Sequence, residues 1–155
     1  MSQTVLITGA SNGIGKACAR VFARKGYDLV LVARHREKLE AVKAELSEYD
    51  VQIKVIAMDL TGEDAAVDLY NDLVLDDISI DILVNNAGFG DHGAFHDSSW
   101  EKQKKMVLLN IVALMQMTYV FGQSMKRRKK GRILNVASIA GLCAGPYMST
   151  YYATK

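Results

Sequence analysis

The sequence contains little cysteine, proline or tryptophan: its 155 residues include two cysteines, one proline and one tryptophan. Cys18 and Cys143 lie far apart and lack metal-type spacing, which favours two free thiols in a reducing cytosol over a disulfide. No repeat, low-complexity tract or linker divides the chain. Its length and its 50% hydrophobic content suit one domain with a substantial core, over residues 1–155.

An excess of charge of one sign is also absent, because 19 basic and 17 acidic residues leave a net charge of +2. The run Lys126–Lys130 is basic, but no aromatic residues interleave it, and cations suit the last turn of a helix. We therefore expect no nucleic-acid partner.

Signals for export or membrane insertion are missing as well. Met1–Val5 has neither a basic start nor an apolar core, so no signal peptide is expected. The most apolar stretch, Met106–Phe121, contains Asn110, Gln116 and Thr118 and is too short and too polar for a membrane span. It is predicted to be a buried helix, and the protein is predicted to be cytoplasmic, without a membrane partner.

Short apolar strands alternate with helices along the whole chain. Continuous apolar strands of this kind indicate a parallel sheet covered on both faces, an α/β fold of the doubly wound Rossmann type. The predicted strands are Thr4–Thr8, Asp28–Ala33, Val51–Ala57, Ile80–Val84 and Arg132–Ala137. The predicted helices are Ile14–Lys25, Arg36–Tyr49, Glu63–Asp77, Ser99–Lys130 and one that begins near Thr150.

The Ser99–Lys130 helix is apolar nearly all round in its middle. One face is expected to lie on the sheet, and the other face requires a cover. Either a helix later in a longer chain or a partner subunit would supply that cover, so a homo-oligomer formed through this helix is predicted.

The glycine-rich turn Thr8–Gly15 follows the first strand and opens the first helix. Its glycines have the spacing G-x-x-x-G-x-G, not the G-x-G-x-x-G of the standard dinucleotide fingerprint. Gly9, Gly13 and Gly15 would allow a tight turn and the close approach of a pyrophosphate to the helix N-terminus. A purely structural connection is the alternative, but the position in the first strand–helix unit favours nucleotide binding.

The end of the second strand indicates which cofactor is bound. An acidic residue there would hold the ribose hydroxyls of NAD, whereas a basic residue accommodates the 2′-phosphate of NADP. Arg34 stands there and no carboxylate occurs before Glu37, so NADP is predicted over NAD. Otherwise Arg34 is an ordinary exposed residue. Asp59, after the third strand, either meets the adenine edge or caps the following turn.

Small and polar residues follow the fourth and fifth strands, beside the expected switch point at which ligands bind. Asn86-Ala87-Gly88 suits a backbone pressed against a cofactor. Asn110, a lone asparagine in an apolar helix, either has a structural role or orients a water near the site. Ser138 is either a turn residue or a partner for a substrate oxygen.

Tyr151 and Lys155 are four residues apart, which places both side chains on one face of a helix. A nearby ammonium favours phenolate over phenol, and this makes a tyrosine a usable general acid/base. His92 and His96 have the same spacing in a loop. Two histidines without a third ligand make a weak metal site, so no metal is predicted.

This combination of motifs resembles the short-chain dehydrogenase/reductase family. The resemblance covers essentially the whole chain, in the order T-G-x-x-x-G-x-G, N-N-A-G, a helix asparagine, a serine and Y-x-x-x-K. It implies an oxidoreductase that transfers a hydride between NADP(H) and an alcohol or carbonyl substrate. It also implies that Tyr151 is the general acid/base and that Lys155 assists it and holds the nicotinamide ribose. Ser138 would bind the substrate oxygen, and Asn110 would position a water of the proton relay.

The same resemblance implies a set of cofactor contacts along the carboxyl edge of the sheet. They are Gly9, Ser11, Asn12, Gly13, Ile14, Gly15, Arg34, Asp59, Leu60, Asn86, Ala87, Gly88, Tyr151 and Lys155. Family members continue past the lysine with a sixth strand and substrate-binding segments, so the sheet is expected to stop after the fifth strand and the start of the next helix. A nucleotide-binding remnant or regulator without turnover is the alternative function.

Overall fold

Five short strands form one parallel sheet at the centre of the molecule, for which the computed structural model describes residues 2–155. The strand order is β3-β2-β1-β4-β5. The order reverses beside β1, so the carboxyl ends of β1 and β4 flank the switch point at which open α/β sheets bind ligands. The strands are β1 Thr4–Thr8, β2 Asp28–Ala33, β3 Ile53–Ala57, β4 Ile82–Asn85 and β5 Arg132–Asn135.

Helices connect the strands and cover both faces of the sheet, which confirms the predicted α/β fold of the Rossmann type. They are α1 Gly13–Arg24, α2 Arg36–Glu45, α3 Ala65–Leu75, α4 Trp100–Val107, α5 Leu114–Arg128 and α6 Ser149–Thr154. Single turns of 3₁₀ helix occur at Phe95–Asp97 and Ile139–Gly141.

Several element ends differ from the sequence prediction. Helix α2 ends at Glu45 instead of Tyr49, because Leu46 to Tyr49 continue as turns. Strand β4 extends to Asn85, which pairs with Asn135 of β5. Strand β5 ends at that pair and not at Ala137, so the residues after Asn135 are free to form the loop that leads to α6.

The two faces of the sheet carry two separate apolar cores, because alternate strand residues point to opposite sides. On one face, Leu6 and Leu83 pack with α3 and α5 side chains, among them Leu69 and Phe121. On the other face, alternate residues of β1, β2 and β4 pack with α1 and α2. Those residues are Val5, Ile7, Leu29, Leu31, Ile82 and Val84. The sheet is therefore rigid beneath the loops at its carboxyl edge.

Helices α4 and α5 are joined by a π-helical turn at Leu108–Ala113, so that one continuous helix of 29 residues runs from Trp100 to Arg128. By length and composition alone this helix could cross a membrane, but core helices of water-soluble domains pass the same test. One stripe of its side chains is buried, at spacings of three and four residues. The stripe consists of Gln103, Met106, Asn110, Ala113, Met117, Phe121 and Met125.

The opposite side of the same helix is uncovered. Val112, Met115 and Tyr119 are exposed, with 39%, 62% and 69% of their surface accessible. Strand β5 is one of the two edge strands of the sheet, and all four of its residues are exposed. The structure thus leaves an apolar surface of this helix exposed, as expected if a further segment or a partner subunit covers it.

Candidate functional site

A cleft runs along the carboxyl edge of the sheet, across the ends of β2, β1 and β4. It consists of two adjoining cavities of about 280 and about 460 Å³, which we call the Arg34 lobe and the Tyr151 lobe after a residue that lines each. Both lobes are lined by Gly9, Asn12, Ala87, Gly88 and Phe89. The glycine turn and the Asn86–Gly88 segment therefore form the floor between them.

A larger cavity of about 550 Å³ lies at the amino edge of the sheet, next to Thr4, Asp28 and Asp81. It contains none of the residues that the sequence motifs single out. We therefore identify the cleft at the carboxyl edge as the candidate site because of its lining residues, although it is not the largest cavity. It also lies at the switch point of the sheet.

Glycine is required at two points of the turn after β1. Gly9 has φ +65°, a left-handed conformation that side chains other than glycine rarely adopt, and it lies against Ala87. A Cβ atom on Gly15 would lie 2.3 Å from the Gly9 carbonyl oxygen, closer than atoms can approach. The first turn of α1 is therefore packed directly on the loop, and its backbone faces the cleft.

Hydrogen bonds from Asn86 and Thr8 fix this turn to the end of β4. The Thr8 hydroxyl accepts from the backbone N–H groups of Asn86 and Ala87, both at 3.0 Å. The Asn86 side chain donates to the carbonyl oxygens of Thr8 and Gly9 at 2.9 and 3.1 Å. The asparagine side chain thus holds the floor of the cleft together, and its N–H groups are satisfied by protein carbonyl groups.

The Arg34 lobe is lined by three basic side chains and one carboxylate. Arg34, His35 and Lys38 lie around the end of β2 and the start of α2, and Asp59 and Leu60 follow β3. Ser11 completes the lining from the glycine turn. Asp59 is not directly at the strand end: β3 ends two residues earlier, at Ala57.

Asp59 is held ionised by its surroundings. Partial burial would raise the pKa of this carboxyl, but the Thr61 N–H and hydroxyl donate to it at 3.0 and 2.9 Å. Arg34 and Lys105 add positive charge nearby, and the net effect holds the pKa of Asp59 below its ordinary value. Asp59 therefore caps the turn that follows it, which is one of its two predicted roles. It also lines the cleft, where the other predicted role, contact with the adenine, would place it.

Asn110 is buried in the π-helical turn and is fully engaged. Its side-chain N–H donates to the Phe89 carbonyl oxygen and to the Thr154 hydroxyl, both at 2.9 Å, and its oxygen accepts from the Phe89 N–H at 3.1 Å. A Cβ atom on Gly88 would lie 3.0 Å from the Asn110 oxygen. The asparagine thus ties the loop after β4 to α6. π turns of this kind often occur at functional sites.

Tyr151 and Lys155 line the other lobe together with Gly88, although α6 ends at Thr154 and Lys155 follows the helix instead of lying within it. The Lys155 ammonium lies 6.0 Å from the centre of the Tyr151 ring and donates to the Val136 carbonyl oxygen at 3.3 Å. Gly90 packs against the same tyrosine ring, at 3.1 Å from an ideal Cβ position. The loop after β4 thus holds the tyrosine on one side, while the segment that follows β5 holds the lysine on the other.

Ser138 does not directly follow the fifth strand, because β5 ends three residues earlier at Asn135. Its hydroxyl accepts from the Ala140 N–H at 3.1 Å and caps the 3₁₀ turn Ile139–Gly141. Ser138 is therefore a turn residue in this structure, which is one of the two roles predicted for it. The lining of the Tyr151 lobe includes the preceding residues Val136 and Ala137.

The two loop histidines lie apart from the cleft floor. His92 packs against Tyr147 with ring centres 5.5 Å apart, and His96 is an exposed neighbour of Asp97. Within residues 2–155, no group of three or more His, Cys, Asp or Glu side chains is arranged to hold a metal ion.

The family model for short chain dehydrogenase matches residues 3–155. The chain belongs to the short-chain dehydrogenase family. The strand order β3-β2-β1-β4-β5 is shared with solved members of the family. A short-chain dehydrogenase from Sphingobium yanoikuyae, solved in complex with NADPH, is 38% identical, with a TM-score of 0.91 over 99% of this chain and 60% of that one.

Other relatives show the breadth of the short-chain dehydrogenase family. A very-long-chain 3-oxoacyl-CoA reductase of Coccidioides immitis is 35% identical over 97% of this chain and 44% of its own length. A 4-hydroxyisoleucine dehydrogenase complexed with NADH is 29% identical, with a TM-score of 0.89 over 99% of this chain and 62% of that one. The chain spans about half the length of the curated relatives it matches. Structural neighbours in the family thus bind NADPH, and some bind NADH.

Sequence reasoning missed three residues that organise this short-chain dehydrogenase site. Phe89 and Thr154 supply the backbone and hydroxyl partners of Asn110, and Lys38 adds a second long cation to the Arg34 lobe. Thr154 lies inside the Y-x-x-x-K motif at a position that the spacing leaves unspecified. Its partner is 44 residues away in the chain, so no local pattern indicates the contact.

Proposed function

We propose that this short-chain dehydrogenase is an NADP-dependent oxidoreductase that interconverts an alcohol and a carbonyl compound. The observation that carries the proposal is one continuous cleft with Arg34 and Lys38 lining one lobe and Tyr151 and Lys155 lining the other. A dinucleotide is an extended ligand with a phosphorylated ribose at one end and a reactive nicotinamide at the other. The order of the two lobes fits that ligand.

The floor of the cleft also fits the cofactor, because it is shaped for backbone contact. Side chains are excluded at Gly15, and at Gly88 a Cβ atom would crowd both the Asn110 oxygen, at 3.0 Å, and the Lys155 ammonium, at 3.4 Å. The space that these glycines leave suits the pyrophosphate and the nicotinamide ribose. Gly9, Ser11, Asn12, Gly13 and Ile14 would surround the phosphates, and Asn86 and Ala87 would lie beneath the ribose.

The bound cofactor supplies or accepts the hydride. In the direction of carbonyl reduction, the Tyr151 hydroxyl donates a proton to the substrate oxygen, and in alcohol oxidation the phenolate takes that proton back. Lys155, whose ammonium lies 6.0 Å from the centre of the Tyr151 ring, would hold the nicotinamide ribose. The Ser138 hydroxyl accepts from the Ala140 N–H and can still donate its own proton to the substrate oxygen, while Asn110 fixes the helix turn beside the relay.

The test is a comparison of dinucleotide binding and turnover in the 155-residue chain and its Tyr151→Phe variant. We expect NADPH to bind more tightly than NADH, by about tenfold. Tyr151→Phe should leave NADPH affinity within about twofold but lower carbonyl reduction by at least about a hundredfold, because the proton donor is lost. Affinity for neither dinucleotide would overturn the function. NADPH binding without any turnover would favour a nucleotide-binding protein instead.

The exposed side of the long helix supports a proposed homo-oligomer. Val112, Met115 and Tyr119 form an apolar strip that a second copy of the same helix would cover. Sedimentation of the wild-type chain and of Met115→Lys should show self-association that the charge removes. A wild-type chain that stays monomeric at high concentration would contradict this interface.

The free thiols of Cys18 and Cys143 support a proposed location in a reducing compartment, the cytoplasm. Fractionation of cells that express the chain, with retention in membrane pellets as the opposing outcome, would test that location.

A further inference from the structure

We infer that Lys38 is a second determinant of cofactor specificity, which together with Arg34 forms a two-cation clamp for the 2′-phosphate of NADP(H). The inference rests on the proposed cofactor and extends it to a residue that lies outside every recognised motif. It comes from the distribution of charge around the Arg34 lobe.

Apart from Lys43, which has no ion-pair partner within residues 2–155 and does not line the lobe, the basic side chains near α2 fall into two groups. Arg36 pairs with Glu40 at 3.6 Å, and Lys16 and Arg20 pair with Glu45 at 2.6 and 3.2 Å on the outer side of α1 and α2. These three cations are compensated within the protein.

Arg34 and Lys38 form the other group. Both are exposed and both line the Arg34 lobe. Among residues 2–155, no carboxylate lies within ion-pair distance of either side chain. Two long cations therefore reach one cavity without an anionic partner.

The one carboxylate that lines this lobe does not compete for the clamp by direct contact. Asp59 accepts two hydrogen bonds from Thr61, at 3.0 and 2.9 Å, through the same oxygen atom. Arg34 acts on it only through space. The lobe thus carries a net positive charge that protein groups leave uncompensated.

The position of Lys38 is unfavourable for a cation that has no partner. It lies in the first turn of α2, where the helix dipole disfavours cations. Glu37 is the acidic residue of that turn, but it does not line the lobe. A dianionic group seated between Arg34 and Lys38 would compensate both side chains, and the 2′-phosphate of NADP(H) is such a group.

The geometry assigns different tasks to the two cations. Arg34 directly follows β2, so its guanidinium is placed by the sheet and can contact the phosphate in a bidentate manner. Lys38 lies four residues further, on the helix, and adds a mobile point charge to the lining of the same lobe. His35 is the N-cap residue of α2, makes no side-chain capping hydrogen bond within the described residues and lines the same lobe.

The experiment measures dissociation constants of NADPH and NADH for the 155-residue chain and for matched variants. These are Lys38→Gln, Arg34→Gln, the double variant and Lys43→Gln. Lys43 is exposed on the same helix but does not line the lobe, so its variant controls for the loss of one positive charge. Adenosine 2′,5′-bisphosphate and AMP serve as probes for the Arg34 lobe alone.

We expect Lys38→Gln to weaken NADPH binding about fivefold, the upper range for an exposed ion pair, and to leave NADH binding within about twofold. The bisphosphate should lose affinity as NADPH does, while AMP should not. Lys43→Gln should behave as wild type, and added salt should reduce the difference between NADPH and NADH.

Two outcomes overturn the inference and are distinguishable from failure of the proposed function. If Lys38→Gln matches Lys43→Gln while Arg34→Gln loses the NADPH preference, Lys38 has no role in specificity although the cofactor assignment stands. If Lys38→Gln weakens NADPH and NADH equally, the lysine supports the helix and not the 2′-phosphate. A wild-type chain that binds neither dinucleotide removes the proposed function together with the clamp.

Discussion

The two edges of the sheet use charged residues in opposite ways. At the amino edge, Asp81 is nearly buried and accepts from the Thr4 N–H at 3.2 Å, while Lys130 and Arg128 lie 3.0 and 3.4 Å away. At the carboxyl edge, Arg34 and Lys38 have no such partner, and Lys155 contacts only a backbone carbonyl oxygen among the described polar groups.

The charged residues at the amino edge are paired with one another and stabilise the fold. The cations at the carboxyl edge are left available to bind an anionic ligand. Burial alone would raise the pKa of Asp81, but the hydrogen bonds from Lys130 and the Thr4 N–H, with the nearby positive charges, hold it below its ordinary value. The amino edge is therefore satisfied internally although its cavity is the larger one. The carboxyl edge keeps uncompensated cations, close backbone contacts and the candidate acid/base.

The largest effect is expected from Gly15→Ala at the carboxyl edge. The added Cβ atom would meet the Gly9 carbonyl oxygen at 2.3 Å, so the glycine turn must move away from α1. We expect the free energy of unfolding to fall by about 3 kcal/mol and dinucleotide binding to be lost. Gly62→Ala is the control, since its nearest contact would be an ordinary 3.7 Å. Unchanged NADPH affinity in Gly15→Ala would show that the turn is not the phosphate site.

The next effect is expected from Asp81→Asn at the amino edge. The charge that holds Lys130 and Arg128 is lost, and we expect the free energy of unfolding in urea at pH 7 to fall by about 2 kcal/mol, with unchanged NADPH affinity. Asp50→Asn, an exposed and unpaired carboxylate, should change neither quantity.

The pH dependence of stability distinguishes Asp81 from a simple packing effect. Because its pKa is lower in the folded state, its contribution is present above the ordinary value of 3.8 and is lost as the pH falls through the folded value. Wild-type stability should therefore drop more steeply below pH 4 than that of Asp81→Asn. Parallel pH profiles would contradict the assigned ion pairs.

A smaller effect is expected from Thr154→Val, which removes a hydroxyl that accepts from Asn110 at 2.9 Å and donates to the Tyr151 carbonyl oxygen at 2.8 Å. Asn110 keeps its Phe89 contacts, so stability should fall by only about 1 kcal/mol. NADPH affinity should fall about threefold because Lys155 is less well placed. Thr154→Ser keeps the hydroxyl and should restore both values. If the serine variant behaves like the valine variant, the hydroxyl contacts alone do not account for the effect.

The sequence predicts the parts of this fold that depend on local patterns. Alternating strands and helices, the glycine turn after β1 and the one-face spacing of Tyr151 and Lys155 all follow from short-range periodicity. Element ends are less predictable: Val136 and Ala137 look like the end of an apolar strand, yet β5 stops where its partner Asn85 stops.

The remaining features of the site depend on contacts between distant segments. The residues next to Asn110 in the sequence do not predict a π turn. The hydrogen-bond partners of its side chain, Phe89 and Thr154, are 21 and 44 residues away, so no local pattern includes them. The sequence also does not predict whether Lys38 has a carboxylate partner. That depends on Arg36 and Glu40 having paired with each other and on Asp59 having turned toward Thr61.

The π turn at Leu108–Ala113 has a consequence for how this helix tolerates deletions. Removal of one residue from an α-helix rotates everything beyond it by about 100° and would turn the buried stripe away from the sheet. A π turn holds one residue more than an α turn, so a deletion there can be absorbed by conversion to regular α-helix. A deletion scan of 100–128 should therefore find its tolerated positions clustered at 108–113. Such a shortened chain would keep the fold but lose the hydrogen bond between the Asn110 side chain and Thr154 of α6.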